Sequence, residues 1–144
     1  MYLLDTNVFL EVLLSRRRKR ECKQLLNLLK TGEETGVATD FSIHSIMLVM
    51  DGLGKLPELG TFVASLSAYR GLLVYADTLE DKIRAVSTSQ EEELDIDDSI
   101  QYSVAKELKV RGIVTFDRDF DDLDIPRLEP RDVLVSSRKQ SNLG

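Results

Sequence analysis

Four short apolar runs constrain this chain most: Tyr2-Leu3-Leu4, Gly36-Val37-Ala38-Thr39, Leu72-Leu73-Val74-Tyr75 and Gly112-Ile113-Val114-Thr115. Each is too short for a buried helix and suits a buried strand, and the stretches between them carry apolar residues at helical spacing. After Asp5-Thr6-Asn7, residues well suited to capping, Val8, Phe9, Val12 and Leu13 share one helical face. A second helix is predicted over Arg18 to Lys30, with Cys22, Leu25, Leu26 and Leu29 on its inner side and Thr31-Gly32 as the stop. Asp40 or Ser42 caps an apolar helix through Met50, and Pro57 opens another that lasts to about Tyr69 and is closed by Gly71. Asp77-Thr78 caps a helix to Val86, residues 87–93 read as an acidic loop, and a further helix covers Ser99 to Leu108. Phe116 to Asp124 reads as an acidic turn, Pro126 to Leu128 as a weak fifth strand, and a short helix lies near Asp132.

Strands alternating with helices need crossover connections, so the expected fold class is α/β. It has one parallel sheet of four to five strands with helices on both faces. The expected domain spans residues 1–135, followed by a polar C-terminal tail, 136–144, that frays. Hydrophobic residues at 42% and charged residues at 31% suit such a core and exclude a disordered chain. The lone Cys22 has no internal disulfide partner, and no targeting segment or spanning run stands out, so the cytoplasm is the expected location.

Chemistry is expected beyond the carboxyl ends of the strands, where the order of a parallel sheet reverses. Asp5 ends the first strand, Asp98 lies at the start of the helix that leads into the fourth, and Asp117 follows that fourth strand. Each has a structural use, Asp5 and Asp98 as helix caps and Asp117 in an Asx turn. Chance capping is a weaker account of all three at one rim. If the first and fourth strands are neighbours, these carboxylates meet, and like charges at close range call for a cation. Hard oxygen donors suit Mg2+ or Mn2+. With His44 the only histidine, mechanisms that need two are excluded. A phosphoacceptor domain would want paired acids after the first strand, where Thr6-Asn7 stand.

The segments Tyr2-Leu3-Leu4-Asp5-Thr6-Asn7, Leu94 to Ile100 with Asp95, Asp97 and Asp98, and Ile113-Val114-Thr115-Phe116-Asp117-Arg118-Asp119-Phe120 resemble the three acidic motifs of the PIN domain. Within that family the chain is most similar to small VapC-like proteins, toxin-type ribonucleases. The resemblance implies a Mg2+- or Mn2+-dependent endoribonuclease, with Asp5, Asp98 and Asp117 catalytic and Asp119 an added metal ligand. Thr6 and Asn7 match the polar residues after the first acid, and Asp95 and Thr115 are further accessory candidates. It also implies RNA as substrate, a homodimer and a small antitoxin partner. A catalytically weakened binding or regulatory module is the alternative.

One departure motivates that alternative. The family places a further acid, most often glutamate, in the helix after the second strand. Here that helix reads Phe41-Ser42-Ile43-His44-Ser45-Ile46, and Asp40 lies before it. His44 is left as a ligand, a phosphate contact or a packing residue.

Net charge is −6, which opposes nonspecific polyanion binding. A local patch answers that objection: Arg16, Arg17, Arg18, Lys19 and Arg20 form an unbroken cationic run between the first two helices. Its other reading is a solvated helix start. Lys55, Lys106 and Arg118 are further phosphate candidates. The apolar helices around Ile43 to Met50 and Leu59 to Leu66 suit either a subunit interface or burial on several sides.

Overall fold

The computed structural model describes residues 1–144. It contains strands β1 (Tyr2–Leu4), β2 (Gly36–Thr39), β3 (Leu72–Tyr75), β4 (Ile113–Val114) and β5 (Arg127–Leu128). The helices are α1 (Thr6–Leu13), α2 (Lys19–Thr31), α3 (Asp40–Gly52), α4 (Leu56–Ser65), α5 (Leu79–Glu92), α6 (Ile96–Glu107) and α7 (Pro130–Leu143). All five strands are parallel, in the order β3-β2-β1-β4-β5. The order reverses at β1, whose Leu3 pairs with Val37 of β2 on one side and Ile113 of β4 on the other. The expected adjacency of the first and fourth strands is therefore present.

Alternation along these strands builds two cores. Leu4, Ala38 and Val114 face α1 to α4 and α7 through Phe9, Leu25, Ile46, Phe62 and Val133. Leu3, Val37 and Ile113 face the opposite way, against Tyr102, Val104 and Ala105 of α6. Helix α5 packs on α6. Both faces of the sheet are thus covered, as continuous apolar strands require.

Several boundaries differ from expectation. β3, expected as a buried strand, is the sheet edge, with Leu73 49% and Val74 40% exposed. An apolar run does not distinguish a central strand from an edge. Residues 87–93, expected as a loop, mostly continue α5, which ends at Glu93 in the left-handed conformation. A solvent-facing helix needs little apolar periodicity once a capping box, here Thr78 and Asp81, has started it. Helix α6 begins at Ile96 with Asp95 as cap, so Asp97 and Asp98 lie in its first turn rather than before it. Thr39, not Asp40 or Ser42, caps α3 by accepting the Ser42 N–H. Residues 136–144, expected as a polar tail, extend α7 to Leu143, because the helix has its own capping box at Glu129 and Asp132 and packs along α2.

Gly71 has a different use from the helix stop expected of it, since α4 ends at Ser65 and a short 3-10 turn at Ala68 follows. Its N–H donates to Leu29 O at 2.8 Å, and its carbonyl accepts from Gly36 N at 2.8 Å. A Cβ there would lie 2.1 Å from Glu34 O and 3.1 Å from Leu29 O. Backbone cannot yield as a side chain end does, so Gly71→Ala is expected to destabilise the fold by about 2–3 kcal/mol in urea titration. An unchanged midpoint would show that the β3 entry relaxes freely.

Candidate metal centre

The strand order brings the three acidic segments together. β1 and β4 end side by side and deliver Asp5 and Asp117, while the first turn of α6 supplies Asp98. One carboxylate oxygen from each of Asp98, Asp117 and Asp119 lies within 4.8 Å of the others. The tight 3-10 turn Arg118–Phe120 makes that grouping local, since Asp117 accepts the Asp119 N–H at 2.9 Å. Asp98 is buried and Asp119 exposed, so the trio opens from the protein interior towards solvent.

Asp5 stands beside this trio, not in it. Its Oδ1 accepts from Thr6 N at 2.7 Å and Gln101 Nε2 at 2.8 Å, and its Oδ2 from Asn7 Nδ2 at 3.0 Å and Thr115 Oγ1 at 2.7 Å. Thr115 Oγ1 also accepts the Asp117 N–H at 2.9 Å, tying the two strand ends together. Burial pushes the Asp5 carboxyl above the usual carboxylate range; its hydrogen bonds with Thr115, Gln101 and Thr6 oppose this, and the charge of Asp117 adds to it.

Asp98 has no such support. Burial, then the charges of Asp95, Asp117, Asp5 and Asp97, push its carboxyl up to about 8, and no hydrogen bond is among the causes. These are groups that a cation would pull back into the charged form. The donor set fits a hard divalent ion, since every side chain in the trio offers carboxylate oxygen. A second observation agrees. Thr6 Oγ1, Asn7 Oδ1, Asp97 Oδ1, Ser99 Oγ and Gln101 Oε1 are buried without a hydrogen-bond partner, and all lie on the segments that carry Asp5 and Asp98. Buried polar atoms without partners are rare in folded proteins, and their concentration here marks a place where water or an ion completes the structure.

The remaining candidates divide. Thr6, Asn7 and Thr115 belong to the Asp5 network. Asp95 is the α6 cap, accepting the Asp98 N–H at 2.9 Å. His44 is exposed on α3, so the packing role open to it is not taken, and Asp40 is likewise exposed. Gln101 was missed. A buried amide amid Ile100, Tyr102, Val104 and Ala105, three residues after Asp98, is the signal that points to it.

The basic run is also split. Arg18 donates to Glu129 Oε1 at 3.0 Å and lies over the Phe116 ring at 4.5 Å, next to Asp117 in sequence. Lys19 donates to Ser15 Oγ, whereas Arg16, Arg17 and Arg20 are exposed. Lys106 and Arg118 are paired with Asp124 and Asp121.

The model of the PIN domain family matches residues 2–126 of this chain. The chain belongs to the PIN domain family. Solved structures share this PIN fold. A protein of a toxin-antitoxin complex from Klebsiella pneumoniae is 24% identical, with a TM-score of 0.67 over 90% of this chain and 98% of its own. VapC20 from Mycobacterium tuberculosis, a toxin that cleaves the sarcin-ricin loop, is 13% identical, with a TM-score of 0.72 over 90% of this chain and 100% of its own. A chain of VapBC2 from Rickettsia felis, bound to a promoter DNA fragment, is 14% identical, with a TM-score of 0.66 over 89% and 97%. Among proteins with curated functions, none matches the sequence. No helix of this PIN domain is long and apolar enough to cross a membrane.

Proposed function

We propose that this PIN domain is a divalent-metal-dependent endoribonuclease, the toxin of a toxin-antitoxin pair. The observation that carries the reading is the trio Asp98, Asp117 and Asp119 within 4.8 Å at the switch point of a parallel sheet, beside a hydrogen-bonded Asp5. The PIN match and the toxin-antitoxin structures that share the fold support it.

In this reading Asp98, Asp117 and Asp119 hold Mg2+ or Mn2+, with Asp5 on their inner side. What such an ion supplies is positive charge against an RNA phosphodiester and a more acidic water. The protein's part is to fix the carboxylates. Thr115 and Gln101 orient Asp5, the Asp119 N–H orients Asp117, and Asp95 fixes the first turn of α6. Arg16, Arg17 and Arg20, free of ion pairs, offer cations to the RNA backbone, while Arg18, over Phe116, carries charge to the rim of the centre.

The same reading makes the domain a homodimer in the cytoplasm with a small antitoxin partner. Met47 at 39% and Leu48 at 70% exposure leave part of α3 apolar and uncovered, in keeping with an interface there. A second reading, a PIN domain that binds without cutting, is favoured by the exposure of both acids on α3, Asp40 and Asp51, which leaves its buried face without a carboxylate.

Cleavage of a mixed RNA pool in Mn2+ and in EDTA separates the two. The expected result is cleavage only with metal, reduced at least about 100-fold by Asp117→Asn. Cleavage that survives both EDTA and the substitution removes the assigned centre. Failure of Mn2+ both to raise the melting temperature and to support cleavage favours the binding module.

A further inference from the structure

Resting on the metal-centre reading above, we infer that Asp97 is a further carboxylate of the cation centre, on the Asp5 side, standing in for an acid that the buried face of α3 lacks. Its position follows from α6. Asp97 and Gln101 are one turn apart on the same helix face. Gln101 is 1% exposed and its Nε2 donates to Asp5 Oδ1 at 2.8 Å, which puts this face of α6 against the end of β1. Asp98, one position further round the helix, turns instead to Asp117 and Asp119.

The alternative is an ordinary acid in a helix first turn, attracted by the helix dipole. That role leaves a carboxylate in water. Here Asp97 Oδ1 is buried without a well-formed hydrogen bond, the Gln101 side chain standing close beside it, and Gln101 Oε1, also buried, has no donor. The orientation of the Gln101 amide is decided by Asp5, because reversing it would set two acceptors face to face. Its oxygen is therefore left without a donor. A carboxylate oxygen and an amide oxygen, both buried and unpartnered beside Asp5, are hard donors of the kind divalent ions take. The acid is supplied by the helix that already carries Asp98, so the centre does not need α3.

Calorimetric titration of the full chain with Mn2+ tests this, with circular dichroism as the check on folding. Asp97→Asn is expected to weaken Mn2+ binding about tenfold or more, with Asp97→Glu intermediate because it keeps the charge and moves it outward. Asparagine is well tolerated near a helix start, and the glutamate variant keeps the comparison available if the first fails to fold. If Asp98→Asn weakens Mn2+ binding while Asp97→Asn and Asp97→Glu match the wild type, the inference is overturned and the metal centre stands. A wild-type protein that takes up no Mn2+ overturns both.

Discussion

Asp98→Asn is expected to make the metal-free protein more stable at alkaline pH while destroying its metal binding. The Asp98 carboxyl is pushed up to about 8 by burial and by four neighbouring aspartates. In the unfolded chain it titrates near about 4. Between those values the folded state keeps a proton that the unfolded state has released, so stability falls as pH rises through this window and levels off above it. Burial also raises Asp5 and Asp97, which slope the same way. Asparagine removes the ionisation at Asp98. At about pH 5 the wild type and the variant should melt alike, and at about pH 8.5 in EDTA the variant should be more stable by up to about 4 kcal/mol. Mn2+ should then raise the melting temperature of the wild type and not that of the variant. A variant less stable than the wild type at both pH values would show that Asp98 is a structural acid.

Asp5→Ala is expected to have the opposite sign. Asp5 accepts hydrogen bonds from Thr6, Gln101, Asn7 and Thr115, and its loss leaves these donors facing a methyl group. Buried donors left unmatched cost about 1–3 kcal/mol each, partly recovered where water enters or the Thr115 hydroxyl turns away. Loss of the α1 cap adds to this. Urea denaturation should show a loss of about 3–5 kcal/mol, and Mn2+-dependent cleavage should disappear. A stability within experimental error of the wild type would mean that the network around Asp5 is readily replaced by water. Together the two variants divide the acidic edge into a carboxylate the fold needs and one that strains it, the usual sign of a site kept for function.

Much of this arrangement is legible in the residues because it is local. The strand-acid-helix order around Asp5 follows from a short apolar run, a capping carboxylate and helical spacing after it, all within about a dozen residues. The grouping of Asp117 with Asp119 is a turn property, and the stop of α2 at Gly32 follows from its positive φ of 81°. Where local signals were weak the boundaries moved. The polar ends of α5 and α7 carry little periodicity, so nothing in them separates a solvent-facing helix from a loop or tail until capping boxes and neighbouring helices are seen.

By itself, then, the sequence determined the α/β class, the chain order of its elements and the three acidic segments, because each depends on side chains close together along the chain. Only the tertiary structure decided that β3 is an edge, that Arg18 is tied to Glu129 while Arg16 and Arg17 stay free, and that Asp98 rather than Asp5 joins Asp117 and Asp119. It also decided that Gln101 and Thr115 hold Asp5 across sequence separations of 96 and 110 residues. Hydrogen bonds and charge repulsion act over a few ångströms of space. Strand order, which no single segment encodes, determines which residues come that close.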